Sequence, residues 1–411
     1  MQPEAHATTA VASRQSPKRA RREAEGKEGL PSCRFAQPDL CCPRVPKSSL
    51  SARLVLLATS TLLASAVGYA TYSFLRPPPL AVTIEPGVDD GPVWNDDPTF
   101  VVDEVAGFRP RRAMVTRFPM LAVDQSDRRD LVKHRNRDGF LRRDELPSPL
   151  DRQAVLMVGD SHLDGVVSTD ENVATLLEAQ LVAAGAPSYV LNAGCGLYSL
   201  WQSVLRARDL LQHHRPAVVV VVVFLGNDFF DLENKTVPHL DDELHELPPG
   251  VLTEPETTSA RLQELAIPAP YEAAFWQGFN QALYLQQRPE RLPILLRKAA
   301  HAVDVLEAAG QQHGARIVWA LLPSFDLVFP EHAQGLGKVA DELVRSGIQR
   351  RLRDGFTALL DERKAQVVDF EPAFRTDGKL DLFALDFHVY VRGHRVMADT
   401  LREPIRALLQ R

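Results

Sequence analysis

Cysteine is scarce in this chain and poorly placed for cross-linking. Of the four in 411 residues, Cys33, Cys41 and Cys42 crowd into the first fifty positions, leaving Cys195 alone in the body. A lone cysteine closes no intradomain disulfide, so the fold has to hold by packing. Cys41-Cys42 has no further Cys or His at ligand spacing, which leaves the pair without the pattern of a metal site. A basic surplus is missing too. The net charge is −6, which argues against a nucleic-acid binder. Internal repeats are absent, and between Leu54 and Leu75 there is no charged residue at all.

That uncharged run reads LVLLATSTLLASAVGYATYSFL. As a helix it would extend roughly 33 Å, enough for a hydrocarbon core of about 30 Å. Arg53 and Arg76 bound it, and Tyr69 and Tyr72 sit near its far end, where amphipathic rings favour the membrane interface. A secretory signal would have a shorter apolar stretch lying nearer the N-terminus. Residues 54–75 are therefore expected to form one transmembrane helix. Residues 1–53, rich in Pro, Ser, Ala, Lys and Arg, are expected to be a disordered tail. Its basic cluster Lys18-Arg19-Ala20-Arg21-Arg22 would keep the N-terminus cytoplasmic and send the large C-terminal part outside. Pro77-Pro78-Pro79 opens a spacer, and residues 76–150 show no periodicity, so an irregular extension packed on the main fold is expected there.

From residue 151 to the end the pattern changes to alternating strands and helices. Strands are expected at 154–158, 188–191, 217–225, 317–322 and 366–370, and helices at 172–184, 197–213, 293–309, 338–362 and 393–409. The unbroken valine run within 217–225 is apolar on both faces, as a central parallel strand needs when helices cover both sides of its sheet. The fold class that follows is α/β, a three-layer α/β/α domain built on a parallel sheet.

In such sheets ligands bind at the carboxyl ends of the strands, and three segments with chemistry fall there. Gly159-Asp160-Ser161 follows the first strand, where a serine hydroxyl can stand at the start of the next helix; Asp or Ser is equally the usual cap of such a helix. Gly226-Asn227-Asp228 follows the valine strand, where an asparagine amide can donate to an oxyanion, or simply make a turn. Asp386-Phe387-His388 precedes the last helix, where a carboxylate can hold an imidazole in one tautomer for general-base work. Each is weak alone; their order and their shared strand-end placement make the combination strong. His162 is given no role, since one base suffices. His213-His214 reads as a helix C-terminal cap and the acidic run 241–246 as a solvated loop. The stretch 229–270 is long for a connection and is expected to cover the site as a lid.

With these motifs in place the chain resembles the SGNH, or GDSL-type, hydrolases over residues 153–411, and more particularly their membrane-anchored bacterial members. Gly159-Asp160-Ser161 matches the family's nucleophile box, Gly226-Asn227-Asp228 its asparagine box, and Asp386 and His388, followed by Gly393-His394, its C-terminal box. Segment 133–146 (KHRNRDGFLRRDEL) is similar to the Asn-x-x-Gly-Phe stretch of membrane-anchored members. The resemblance implies a flavodoxin-like fold and ester chemistry without metal or cofactor. Ser161 would attack the carbonyl, His388 would take its proton, and Asp386 would orient the imidazole. The N–H of Ser161, that of Gly196 or Leu197, and the Asn227 amide would hold the oxyanion. Two departures stand: Leu197 occupies the position counted for an oxyanion glycine, and Leu225 lies where a glycine is common. The expected activity is a membrane-anchored serine esterase acting on an acyl ester of envelope polysaccharide or lipid at the outer face of a bacterial inner membrane. The alternatives are an O-acyltransferase serving a glycan hydroxyl and a catalytically silent binding domain.

Overall fold

Strand β9, Val218–Phe224, buries all seven of its side chains, and the rest of the domain is arranged around it. The computed structural model describes residues 83–410 apart from 86, 89, 234–235 and 250–276. Five parallel strands form the central sheet: β7 (Gln153–Val158), β8 (Ser188–Asn192), β9, β12 (Arg316–Leu322) and β13 (Gln366–Asp369). Their spatial order is β13-β12-β9-β7-β8. Counted from β7 this is the 2-1-3-4-5 order of a doubly wound flavodoxin-like sheet, whose crossovers reverse direction between β7 and β9. The six valines of β9 are at most 1% exposed, and each contributes about 1.5–3 kcal/mol by leaving water.

Helices cover both faces, as a two-sided apolar strand requires. One layer holds α2 (Val173–Ala183), which packs on α6 (Val391–Leu409). The other holds α3 (Leu200–His214), α4 (Arg291–His313) and α5 (Ile348–Glu362). Three boundaries differ by more than two residues from the sequence reading, the first being that α4 runs on to His313, past the expected 309. Helix α3 starts at Leu200, because Ser199 and Gln202 form a capping box and Leu197 already has a left-handed backbone, φ 69°. The single helix expected over 338–362 is two, Lys338–Ser346 and α5, parted at Gly347, where φ is 64°.

The larger correction lies upstream. Where the sequence showed no periodicity, residues 83–134 form two small antiparallel sheets. One is β1 (Thr83–Glu85), β5 (Val115–Leu121) and β6 (Arg128–His134) in the order β1-β5-β6; the other is β2 (Val93–Trp94), β3 (Asp97–Asp103) and β4 (Gly107–Pro110). The strands are short and mostly half-buried, so no clean two-residue alternation survives in the sequence. Their attachment to the central domain is specific. Tyr198 donates from its hydroxyl to Phe108 O at 2.6 Å, and Gln202 Nε2 to Ala106 O at 2.9 Å. Trp94 stacks on Phe108 with ring centroids 4.0 Å apart, and Phe108 meets Tyr198 edge-on at 5.2 Å.

A two-stranded hairpin, β10 (His239–Leu240) and β11 (Glu246–Leu247), follows β9. Most of the lid expected at 229–270 lies outside the described residues, as do the tail 1–53 and the membrane span 54–75. Among the described residues no helix is long and apolar enough to cross a membrane.

Candidate active site

The site forms at the topological switch point, where β7 and β9 end side by side. After β7 the chain turns through Gly159, where a Cβ would meet Val222 O at 2.8 Å, closer than such atoms approach. Asp160 then caps the one-turn helix α1 (Ser161–Asp164) by accepting the His162 N–H at 2.9 Å. Ser161 is the first residue of that turn, and its Oγ lies 2.9 Å from His388 Nε2.

His388 is delivered by a strained turn. Phe387 has φ 67°, a region that bulky residues avoid. Its fully buried ring stacks on Phe325 with centroids 4.2 Å apart and planes 12° apart. That anchor drives Phe387 into the core, while Asp386 and His388 stay at the surface of the site. Asp386 Oδ1 accepts the His388 main-chain N–H at 3.2 Å. Its Oδ2 lies 3.0 Å from His388 Nδ1, although that ring nitrogen lacks hydrogen-bond alignment with any partner. The distance is that of an ion-pair contact. Burial pushes the His388 imidazole down, but the Asp386 charge and contact outweigh it and leave its pKa raised. For Asp386 burial acts upward, and His388 more than offsets it, so the carboxylate is held below its ordinary range.

His162, beside the nucleophile, is fully buried and not available to substrate. Its Nδ1 accepts the Val389 N–H at 3.3 Å, which leaves the proton on Nε2, 3.3 Å from Gln277 Oε1. Burial and the neighbouring His388 hold it neutral. The ring stacks on Phe224 at 3.5 Å and lies 4.7 Å from the His388 ring. It braces the segment that carries His388. His394 is likewise buried and neutral, its pKa pushed down to about 3 by burial; its Nδ1 accepts the Val173 N–H at 3.2 Å and so caps α2. The Gly393-His394 pair of the C-terminal box is therefore structural here.

Of the oxyanion candidates, Gly196 lies beside Ser161: a Cβ built on it would be 4.0 Å from Ser161 Cβ. Among the described residues the main-chain N–H groups of Ser161, Gly196 and Leu197 donate to no acceptor. Leu197 turns its side chain to solvent, 59% exposed. Asn227 follows β9, and its Oδ1 is buried without a partner. Gly226 has no room for a side chain, since a Cβ would meet the Phe224 ring at 2.3 Å. Asp228 holds the strand end by accepting the Phe224 N–H at 2.8 Å. Burial raises the Asp160 carboxyl to about 7 and, with Asp160 adding to it, pushes Asp228 well above its usual range. No three His, Cys, Asp or Glu side chains among the described residues are grouped as a metal ion would require.

Two side chains the sequence reading passed over hold the nucleophile turn from above. Lys133, on β6, donates to Asp164 Oδ2 at 2.6 Å, and Arg135 bonds Asp164 Oδ1 through Nη2. Arg135 also donates to Gly139 O and Gly194 O, both at 3.0 Å. One guanidinium therefore ties α1 to the loop that carries Gly196. The only signal for it lay in the Asn-x-x-Gly-Phe stretch. There Asn136 Oδ1 accepts the Phe140 N–H at 2.9 Å, Gly139 takes φ 89°, and Phe140 plugs the core, which fixes Arg135 just upstream. Beneath, Asn192 Nδ2 donates to Leu163 O at 3.0 Å and to Asn172 Oδ1 at 2.8 Å, joining the ends of α1, α2 and β8.

No family model and no curated protein matches the chain. Solved structures do match at low similarity. The psychrotrophic esterase EstA from Pseudoalteromonas sp. shares 13% identity over 63% of this chain and 100% of its own, with a TM-score of 0.34. TesA shares 16% over 62% and 99%, with a TM-score of 0.32. Axe2, an acetylxylan esterase from Geobacillus stearothermophilus, shares 13% over 61% and 92%, with a TM-score of 0.36. Likenesses this remote carry no argument, and the function has to be reasoned from the residues.

Proposed function

We propose that the chain is a serine ester hydrolase of SGNH type, with Ser161 as nucleophile, His388 as general base and Asp386 as the group that orients and charges the base. The observation that carries the reading is the 2.9 Å contact between Ser161 Oγ and His388 Nε2, with Asp386 3.0 Å from the other ring nitrogen. A serine hydroxyl is a poor nucleophile until a neighbouring base removes its proton. His388 takes that proton as Oγ attacks the ester carbonyl, and Asp386, held ionised, stabilises the imidazolium that forms. The carbonyl oxygen becomes an oxyanion, for which the unclaimed N–H groups of Ser161 and Gly196 and the Asn227 amide are the donors of this proposal; Leu197 N–H is the alternative to Gly196. His388 then returns the proton to the leaving alcohol, and water repeats the sequence to free the acid.

The uncharged run 54–75 and the basic residues before it support an enzyme tethered by one span, its catalytic domain on the outer side of a bacterial inner membrane. An acyl ester of envelope polysaccharide or lipid is the substrate that such a location offers. The full chain in detergent should hydrolyse p-nitrophenyl acetate, and kcat/KM should rise with pH as His388 loses its proton. Because the His388 pKa is raised in the folded protein, the midpoint should lie above the ordinary histidine value of about 6.5. Asp386→Asn should move that midpoint down and lower kcat by roughly 10³–10⁴-fold. A profile flat from pH 5 to 9 would remove His388 from the role of base, and one that Asp386→Asn leaves in place would remove Asp386 as the group that raises its pKa. Acyl appearing on an added glycan instead of as free acid would move the assignment from hydrolase to transferase.

A further inference from the structure

Phe100 belongs to β3 of the N-terminal extension, yet its ring comes to Gly196, beside the nucleophile. A Cβ built on Gly196 would lie 3.6 Å from Phe100 Cζ and 4.0 Å from Ser161 Cβ. Both are ordinary van der Waals separations, and Gly196 does not have a positive φ. Neither crowding nor backbone conformation therefore demands glycine here. What the missing side chain leaves is a slot with room for about one carbon between the tip of the Phe100 ring and Ser161. The ring is held in place from behind. It meets Phe108 edge-on at 5.3 Å and Trp94 at 6.2 Å, and those two rings stack on each other. Tyr198 then fastens Phe108 to the start of α3. A wall so supported does not yield to a larger group without disturbing the sheet behind it.

We propose that this slot receives the acyl side of the ester and that Phe100 restricts it to short, acetyl-sized groups, so that the N-terminal sheet, and not the α/β domain, sets acyl-chain length. The inference rests on Ser161 being the nucleophile. An acyl carbonyl bonded to Ser161 Oγ has its oxygen turned to the N–H donors, and its methyl group fits the apolar gap over Gly196. Each added methylene has to displace the Phe100 ring, and one methylene in a close-fitting apolar pocket changes kcat/KM by roughly 10- to 200-fold.

The test compares p-nitrophenyl acetate with p-nitrophenyl butyrate on the full chain. The unsubstituted protein should favour acetate by at least about tenfold in kcat/KM. Phe100→Ala should cut that preference by about tenfold or more, read as the ratio of kcat/KM for butyrate to that for acetate. Phe100→Leu keeps apolar contact with Phe108 and should fall between the two, which guards against misfolding of the alanine variant. Equal turnover of both esters by the unsubstituted protein, or a loss on both esters in parallel in Phe100→Ala and Phe100→Leu, would overturn the role of Phe100 while leaving the hydrolase reading intact. Failure to cleave either ester would strike at the hydrolase reading itself, and this inference would fall with it.

Discussion

Replacing Ser161 by alanine is expected to lower kcat for a p-nitrophenyl ester by roughly four to six orders of magnitude, with KM changed by no more than a few-fold, and His388→Ala should do the same. At about 1.4 kcal/mol per tenfold, the loss is on the order of 6–8 kcal/mol of transition-state stabilisation. The two effects should not add. Without the base the hydroxyl is unactivated, and without the hydroxyl the base has no proton to take, so Ser161→Ala/His388→Ala should be no worse than either alone. The residual rate belongs to the N–H donors around Ser161 and Gly196, which neither substitution touches. Initial rates with purified variants of unchanged thermal midpoint are the measurement. Independent, multiplicative losses would mean that the two groups do not act on one proton.

Arg135→Met is expected to cost stability on a scale that few single changes reach. The Arg135 side chain is 3% exposed, and its partner Asp164 is 16% exposed. Removing the guanidinium leaves Asp164 with Lys133 alone and strips a donor from both Gly139 O and Gly194 O. Breaking one side of a buried pair typically costs about 3–5 kcal/mol. The outer sheet provides the contrast. Arg117 and Glu85 pair at 3.1 Å, but their side chains are 50% and 55% exposed, and Arg117→Ala should cost under about 1 kcal/mol. Urea titration followed by fluorescence should show a lower midpoint for Arg135→Met at an unchanged slope. Indistinguishable midpoints for the two variants would show that Arg135 does not clamp the nucleophile turn to the Gly194 loop.

What could be read from the sequence divides along the range of the interactions involved. The central sheet was legible because its signals are local: six consecutive valines in β9 leave no polar face, and Gly159-Asp160-Ser161 interrupts an apolar run where a strand must end. Ser161, Asn227 and the Asp386–His388 pair were each found as a strand-end or pre-helix motif, and Ser161, His388 and Asp386 are the side chains that meet. The extension was not legible, since β2 to β4 are two to seven residues long and bury their rings against Tyr198, about ninety positions downstream of Phe108. Phe387 shows the same limit at a single residue. Its left-handed backbone runs against every local preference of phenylalanine, and what holds it is a stack on Phe325, which no local pattern announces. The break at Gly347 was visible as a glycine but not as a turn, because the apolar periodicity resumes on its far side.

The central claim is that Ser161 is an activated nucleophile, and the most direct measurement is covalent capture by an alkyl fluorophosphonate. Phosphorus would bond to Oγ with loss of fluoride, the serine proton passing to His388. Intact-mass spectrometry of the full chain should show a single adduct, and peptide mapping should place it on Ser161. Ser161→Ala should acquire none, and His388→Ala should react at least about a hundredfold more slowly, in keeping with general-base assistance of 10²–10⁴-fold. An adduct that persists in Ser161→Ala, or a chain that stays unlabelled while folded, would contradict the account.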